Sequence, residues 1–491
     1  SAQLPSQAAN DAGDAAVSAF YASRGGAPLW LGSGADSSPA RELIGILQRA
    51  ALDGMPSGPA FAQQAQALLG RAGSGDPGAL AAADRLLSVA WVQYVQALQT
   101  PPAGMTYADP WVAPRRDSAA TILGRTAAAP SLTAYVRSVA QVNPLYAELR
   151  DAAWSAAQAN GGQLDPRVQA SLERARDVPP EGRYVMVDTA GARLYMIEDG
   201  RVADSMKVIV GKADPSTQTP MLASTIYYAT LNPYWHVSGE MVRSLIAKNV
   251  LDQGLNYLRS HGYQLLAADG SGEILDPAKV DWRGVAEGRE MVRVRQLPGP
   301  GNSMGRIKIG FPNSSDIYLH DTPNKTLFAQ DDRTLSHGCI RLEDAERLGR
   351  WLLGRDPQAA SRDPEQNVLL PTPVPIYLTY LTAHVDGGEL SFVDDIYGRD
   401  ARGQQVAALR EISGARTRQT VTSPMVVSRG VGIPLALNRS VNSDLRAASS
   451  SPSASRSISA LRACANRPSS LFSSSSTWCS ISSESTLTLA S

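Results

Sequence analysis

Cysteine is scarce in this chain, with only Cys339, Cys464 and Cys479 among 491 residues. Three cysteines exclude a disulfide framework, which requires several pairs. An excess of charge of either sign is also absent, because 46 Lys plus Arg balance 46 Asp plus Glu. The charge balance therefore gives no indication of nucleic acid or of an acidic membrane surface as a partner.

Long apolar runs and a recognisable leader are missing as well. No stretch reaches about 18 apolar residues, so we expect no transmembrane helix. The first ten residues lack the basic cluster and apolar stretch of a signal peptide, although a secreted protein would look the same after cleavage. The length of 491 residues, with 43% apolar and 19% charged residues, is typical of a soluble globular protein with two or more domains.

The first third of the chain is predicted to be helical. Residues 1–165 are rich in Ala, Leu and Gln, and we interpret them as a helical scaffold domain. Within residues 81–97, Leu87, Trp91 and Tyr94 recur at spacings of three and four, which predicts one buried helix face. Residues 158–177 are predicted to be a short connection to the next domain, too short for an independent module.

From residue 180 to 400 the pattern changes to strands. Alternating residues at 183–187, 193–197 and 202–210, separated by Gly-containing turns, predict a β-meander, and further strands are expected at 226–230, 291–295, 375–381 and 389–393. An amphipathic helix is expected at 344–353. Residues 239–290 return to a helical pattern and predict a lid inserted in the sheet domain, with a plain surface excursion as the alternative. The expected fold class is therefore α+β, with a helical scaffold and a mostly β catalytic domain.

The C-terminal segment at 410–491 has a different composition. Serine supplies 19 of the residues from 441 to 491, and the only acidic residues there are Asp444 and Glu484. Such a composition buries little core, so we predict a disordered, low-complexity tail. A natural linker and a translated reading-frame error are the two alternatives for its origin.

Residues 317–342 contain the candidate chemistry. A thiol needs a nearby base to become a nucleophile, and His320 and His337 both lie in the same segment as Cys339. The predicted helix after Cys339 would favour the thiolate through its positive end. Gly338 would allow close approach of a substrate, and the backbone N–H groups of Gly338 and Cys339 are candidates for an oxyanion hole.

An inert thiol and a zinc site are the two alternative interpretations of this segment. An isolated cysteine is more often an inert buried side chain, but two nearby histidines argue against that here. A zinc site would use His320, His337 and Cys339 with His236 as the fourth ligand, but the sequence lacks the paired ligands typical of structural zinc. A zinc site is therefore not expected here.

At this point the sequence resembles the L,D-transpeptidases, in the large form found in Gram-negative bacteria. The resemblance rests on YLHDTP at 318–323 and SHGCIRL at 336–342, with KVIVGKADPSTQTP at 207–220, NPYWHV at 232–237, RQLPGPGNSMGRIKIGFPN at 295–313 and DIYGRD at 395–400. These segments occur in the family's order over roughly residues 180–400. The helical region, including PLW at 28–30, is more loosely similar to the scaffold domain of this form.

The resemblance implies roles for individual residues. Cys339 is expected to be the nucleophile and His320 its base, held by a backbone carbonyl or another acceptor, while His337 and Gly338 shape the catalytic turn. The implied substrate-binding residues are Arg341, Tyr318, Trp235 and Ser336. Arg341 is suited to a carboxylate of the stem peptide. Tyr318 and Trp235 are equally compatible with core aromatic residues.

The family's reaction implies two-step acyl transfer in the periplasm, which needs no metal and no organic cofactor. The thiolate attacks the carbonyl between a diamino acid and the terminal D-Ala of a tetrapeptide stem, and an amine of a second stem then resolves the thioester. Peptidoglycan stem peptides and carbapenem inhibitors are the implied partners. A peptidase that only hydrolyses stems and a wall-binding scaffold with an inactive site are the alternatives. The acceptor stays open between two diamino acids, the first stem residue, a lipoprotein and a free D-amino acid, and so does the oligomeric state.

Overall fold

The computed structural model describes residues 7–400 except 33, 35, 36, 77 and 178–181. The predicted tail at 410–491, with Cys464 and Cys479, lies outside the described residues. Eight helices precede the main strands: α1 Gln7–Ser23, α2 Ser38–Arg49, α3 Gly58–Gly73, α4 Ala79–Leu98, α5 Ala119–Ala128, α6 Leu132–Gln141, α7 Pro144–Ala159 and α8 Pro166–Ala175. No helix in the described part of the chain is long and apolar enough to cross a membrane.

The helical region is organised around α4, whose predicted apolar face is buried. Leu87, Trp91 and Tyr94 are fully buried in its core. The same helix buries Asp84, whose carboxylate accepts hydrogen bonds from the backbone N–H groups of residues 29–31 at 2.8–2.9 Å. These three donors satisfy a charge that would otherwise be costly to bury, and they fix the PLW segment against the helix.

The strands belong mostly to one large sheet. Their bounds are β1 Thr106–Tyr107, β2 Arg183–Asp188, β3 Arg193–Glu198, β4 Arg201–Gly211, β5 Leu222–Leu231, β6 Trp235–Val237, β7 Tyr263–Leu266, β8 Arg293–Gln296, β9 Ile307–Gly310, β10 Tyr318–His320, β11 Thr334–Ser336, β12 Ile340–Leu342, β13 Gln366–Thr379, β14 Ala383–Asp386 and β15 Glu389–Phe392. The predicted meander is confirmed, because β2, β3 and β4 pair in sequence as antiparallel neighbours.

The large sheet closes on itself. Its strands run in the order β5-β13-β2-β3-β4-β12-β10-β9, and β9 also pairs with β5. Closure removes the free edges and encloses an apolar core, to which Val187, Leu194, Ile309, Leu319 and Ile340 contribute. The alternate residues of each strand therefore point outward, and the neighbouring elements determine what covers them.

Helices α7 and α8 cover one outer face of this sheet. Tyr146 and Leu172 from these helices share a core with Tyr184 of β2 and Tyr377 of β13. The connection expected at 158–177 is thus largely a helix, α8, which begins at Pro166 behind the capping side chain of Asp165.

The predicted helix at 344–353 is confirmed as α13, Ala345–Leu353. The Asp344 side chain accepts a hydrogen bond from the Arg347 N–H at the N-terminus, and Gly354 ends the helix with a left-handed backbone at φ 66°.

The insert forms a small unit with its own sheet and core. Strands β6, β8 and β7 pair in that order, and α9 Gly239–Met241, a π-helical turn Val242–Ala247, α10 Lys248–Gln253, α11 Asn256–Ser260 and α12 Trp282–Glu287 surround them. The unit spans 235–296, which is wider than the predicted 239–290. The strand expected at 291–295 lies in this small sheet as β8 rather than in the large one, because pattern alone does not show which strand is its partner.

Candidate active site

The candidate residues meet on the outer face of the closed sheet, where β10 and β12 lie side by side. The two strands are parallel, with Leu319 opposite Ile340 and His320 opposite Arg341. Since Leu319 and Ile340 point into the core, alternation turns their neighbours outward. Continuing the register by one residue places Tyr318 beside Cys339 on this outer face.

Strand β9 extends this arrangement on the other side of β10. It pairs with β10 so that Lys308 lies opposite His320 and Gly310 opposite Tyr318. Two rows therefore cross three strands, which we name the upper row (Cys339, Tyr318, Gly310) and the lower row (Arg341, His320, Lys308). The rows lie about 7 Å apart along the strands.

His320 is buried and held in one orientation. Its side chain is only 3% exposed, and its Nδ1 lies 2.6 Å from the carbonyl oxygen of Asp321. A carbonyl oxygen can only accept, so Nδ1 carries the proton and Nε2 is left as the basic nitrogen. Burial, followed by the positive charge of Arg341, lowers the pKa of His320 to about 4, so the imidazole is neutral near pH 7.

Cys339 is a protonated thiol at rest. Burial raises the pKa of its thiol, while the backbone N–H and hydroxyl of Tyr318 and the charge of Lys308 partly offset that shift. The sulfur lies 3.6 Å from the carbonyl oxygen of Asp316. The predicted help from a helix end is wrong, because β12 separates Cys339 from α13 and the pKa rises rather than falls.

The turn before Cys339 is held by hydroxyl groups. Gly338 has φ 111°, a backbone conformation that favours glycine, and its N–H donates to Ser336 Oγ at 3.1 Å. Ser336 Oγ in turn donates to the carbonyl of Cys339 at 2.6 Å. The buried Ser336 hydroxyl therefore holds the turn, and in this structure it also engages the Gly338 N–H that was a candidate for the oxyanion hole. The substrate-binding role of Ser336 and the oxyanion hole stay predictions.

The sequence analysis missed the residues whose hydrogen bonds hold this turn against β4. Thr219 Oγ1 donates to the carbonyl of Gly338 at 2.7 Å and accepts from the Gly211 N–H at 2.9 Å. From the DIYGRD segment, the Tyr397 hydroxyl donates to the Gly211 carbonyl and the Arg399 guanidinium to the Thr219 carbonyl. Both segments are part of the family resemblance given above, but the sequence analysis predicted no role for either of them.

The remaining predicted residues are distributed around the rows. His337 is largely exposed, and partial burial together with the charges of Lys212 and Arg341 lowers its pKa. Trp235 is buried within the core of the insert, so it supports the alternative of a core aromatic residue. Tyr318 also packs against that core, and its ring lies 5.7 Å from the His320 ring.

Lys308 is a further residue that sequence reasoning missed. It is partly buried, and its Nζ lies 4.4 Å from the centre of the Tyr318 ring. The signal was the alternation at 307–310, which turns Lys308 away from a buried Ile307 and Ile309.

The zinc interpretation finds no geometric support in the described residues, where no three His, Cys, Asp or Glu side chains are placed to hold a metal ion. The suggested fourth ligand, His236, instead faces Glu365, with Nε2 and Oε1 3.0 Å apart. The arrangement that the structure does provide is a thiol and a neutral imidazole on adjacent strands, flanked by Arg341 and Lys308.

Comparisons with known proteins agree with this geometry. Family models match residues 182–376 as an L,D-transpeptidase catalytic domain and residues 15–152 as a Scaffold domain. A Haemophilus influenzae protein named as a candidate L,D-transpeptidase is 27% identical over 398 residues, or 78% of this chain and 77% of that protein.

Two solved structures are also similar. An L,D-transpeptidase from Mycobacterium smegmatis is 14% identical with a TM-score of 0.21, covering 40% of this chain and 58% of that one. The Ldtfm–avibactam carbamoyl enzyme is 13% identical with a TM-score of 0.22, covering 41% and 51%. Both TM-scores are low, so the assignment rests on the two family models. The chain joins a Scaffold domain to a catalytic domain of the L,D-transpeptidase family.

Proposed function

We propose that this protein is a peptidoglycan L,D-transpeptidase that uses Cys339 as nucleophile and His320 as general base. The observation that carries the proposal is a buried, neutral imidazole whose Nδ1–H is fixed to the Asp321 carbonyl, one strand away from the thiol. A neutral imidazole with a free Nε2 is the form that accepts a proton from a thiol.

In the first step, the thiol adds to the carbonyl between the diamino acid and the terminal D-Ala of a donor tetrapeptide. The sulfur–carbon bond forms while the thiol proton passes to His320 Nε2. The carbon–nitrogen bond then breaks, and the same proton moves from Nε2 to the departing amine of D-Ala. Because both groups start neutral, the proton transfers during attack and no thiolate–imidazolium pair is present at rest.

In the second step, the amine of an acceptor stem attacks the thioester. His320 Nε2 takes the proton of that amine, the new amide bond forms, and the sulfur–carbon bond breaks. The thiolate recovers the proton from Nε2, which restores the starting state. Water in place of the amine would give L,D-carboxypeptidase activity, a second outcome that the same Cys–His chemistry permits.

The other predicted residues take supporting roles in this proposal. In this proposal Arg341, in the lower row, binds a stem carboxylate, and Tyr318 lies beside the sulfur. His337 lies at the mouth of the site, and Ser336 and Gly338 hold the catalytic turn. We place the scaffold domain at 1–165 and the catalytic domain at 180–400, acting in the periplasm where stem peptides occur.

The first test is intact-mass spectrometry of the full chain after incubation with a carbapenem, beside a Cys339→Ser variant. We expect a mass gain on the wild-type protein alone, because only the thiol forms the thioester. Incubation with purified tetrapeptide stems should then release D-Ala and yield cross-linked dimers.

Each outcome of that test has a distinct meaning. Free tripeptide without dimers would identify the hydrolytic alternative. Absence of any mass gain on wild type would contradict an activated Cys339 and favour an inactive scaffold.

A further inference from the structure

Three large aromatic side chains are exposed next to one another on the outside of the catalytic domain. They are Trp111, which follows β1, and Tyr227 and Tyr228 of β5, with 53%, 37% and 39% of their surfaces exposed. The Tyr227 hydroxyl donates to Asp109 Oδ2 at 2.6 Å, which holds this ring beside the turn that carries Trp111. We name the three residues the aromatic strip. Single exposed apolar residues are common on protein surfaces, but a contiguous group of aromatic rings is typical of a binding surface.

Both tyrosines face outward because β5 is irregular at this point. Ile226 and Ala229 contribute to the enclosed core, so neither residue between them points inward. The pairing of β5 with β13 shifts its register there, between Leu369 and Val374. Bulges of this kind are frequent beside active sites, where they redirect side chains.

The aromatic strip leads toward the nucleophile. Tyr228 lies opposite Gly310, the last residue of the upper row, so it continues that row away from Cys339. Gly310 has no side chain, and the Tyr228 hydroxyl lies 3.8 Å from the place that a Cβ would take there. Three inter-strand spacings place the backbone of Tyr228 about 14 Å from that of Cys339. A ligand bound along the strip therefore has a direct path to the sulfur.

A pocket of about 410 Å³ lies beside the strip, between β1 and the loop before β10. It is lined by residues 106–108 and 313–315 together with Pro220 and Leu222, so hydroxyl and amide groups face it. Apart from Asp109, the described residues that form the strip and line the pocket carry no charge. The surface is therefore suited to a neutral ligand that has apolar faces for the rings and hydrogen-bonding groups at its rim.

We propose that the aromatic strip and this pocket bind the glycan strand that carries the donor stem. This inference rests on the proposed function and adds a site for the saccharide part of the substrate. A sugar ring offers an apolar face of C–H groups and a rim of hydroxyl and amide groups, which matches aromatic rings beside a polar, uncharged pocket.

The length of the donor stem agrees with this placement. Three stem residues lie between the glycan strand and the scissile bond, and they span at most about 11 Å when extended. With the carbonyl at Cys339, the attached sugar would reach the near end of the strip at Tyr228.

The experiment measures kcat/KM for D-Ala release from two donors with the same tetrapeptide, one free and one attached to a glycan oligomer. The full chain is compared as wild type, Trp111→Ala and Trp111→Phe. Two controls accompany them: Leu369→Ala removes a 76% exposed apolar side chain opposite Tyr228, and Phe392→Ala removes an exposed ring from the β14–β15 hairpin. Calorimetric titration with peptide-free glycan oligomers measures saccharide binding independently of the reaction, and thermal unfolding checks the fold of each variant.

We expect wild type to bind the peptide-free glycan and to prefer the glycan-linked donor. Trp111→Ala should lose about 10- to 30-fold in kcat/KM on that donor, with a much smaller change on the free stem. Trp111→Phe should recover part of the preference because it restores a ring face, and both controls should behave as wild type.

The contrary outcomes are distinct. Equal use of both donors by wild type, or no binding of the peptide-free glycan, would overturn the glycan site while leaving the transpeptidase intact. A loss in Leu369→Ala as large as that in Trp111→Ala would indicate a general apolar docking surface and overturn the saccharide assignment. Glycan binding without D-Ala release from either donor would overturn the proposed function and leave the saccharide site in place.

Discussion

Two outer faces of the same closed sheet differ in the chemistry of their outward side chains. Under α7 and α8, the outward residues of β2 and β13 include Tyr184 and Tyr377, which are buried in a continuous apolar core. Where Tyr318 packs against the core of the insert, the outward residues of β9, β10 and β12 include Lys308, His320 and Arg341. The alternation of the strands is the same on both faces. Whether an outward position joins a core or a site therefore depends on the element packed over it.

The contrast extends to two histidines. His320 is surrounded by cations, and burial together with Arg341 lowers its pKa to about 4. His384, near α7, faces Asp188 with Nε2 and Oδ2 2.6 Å apart. Burial opposes its charge, but the hydrogen bond and negative charge of Asp188 outweigh burial and raise its pKa. One environment therefore lowers the pKa of its histidine, and the other raises it.

The largest expected effect follows from removing the base on the site face. His320→Gln keeps an N–H group for the Asp321 carbonyl but has no basic nitrogen, so acylation by a carbapenem should slow about 10²- to 10⁴-fold. A time course of intact mass measures the rate. Alanine is a poorer choice, because truncating a side chain that is 3% exposed leaves a cavity. Acylation of the Gln variant at the wild-type rate would remove His320 from the mechanism.

A substitution under α7 and α8 should lower the stability of the protein and leave its catalytic rate unchanged. Leu172→Ala, in α8, truncates a fully buried side chain, so the free energy of unfolding should fall by about 2–5 kcal/mol. The midpoint of thermal unfolding measures this loss, and kcat/KM on a donor stem is the companion readout. If this variant slowed turnover strongly at a temperature where it stays folded, the two faces would not be independent.

The smallest effect is a difference in pH dependence between the two histidines. His320 titrates lower in the folded protein than in the unfolded chain, so its contribution to stability is lost as pH falls from about 6.5 toward 4, by roughly 2 kcal/mol at pH 5. His384 titrates higher when folded, so its contribution is present at low pH and is lost as pH rises through its folded pKa. Thermal unfolding at pH 5 and pH 8 should show His320→Gln to be relatively stabilised at pH 5 and His384→Gln to be most destabilised there. The same sign in both variants would contradict the opposed environments.

Local signals in the sequence were sufficient for the elements themselves. The meander from β2 to β4 and helix α13 follow from alternation, turn residues and the caps at Asp344 and Gly354. The segment around Cys339 also indicated the thiol and its histidines, because their chemistry depends on residue type.

These local patterns could not predict which distant strands pair with each other. Nothing in a short alternating strand shows that β9 pairs with both β5 and β10, and that pairing is what brings Lys308 beside His320. The use of the Gly338 N–H by Ser336 likewise depends on the exact fold of one turn. Both are consequences of tertiary context, which overrides local preference.

The first and last segments of the insert lie side by side where they join the catalytic domain. Trp235 of β6 pairs with Gln296 of β8, and the Asn302 amide donates to the carbonyls of Pro233, Gln296 and Leu297, which clasps the two ends together. Because the two ends of the insert are held together, its length and sequence can change without altering the register of the strands in the large sheet. Divergence within the insert would then leave the pairing of β9, β10 and β12, which positions Lys308, His320 and Arg341, unchanged.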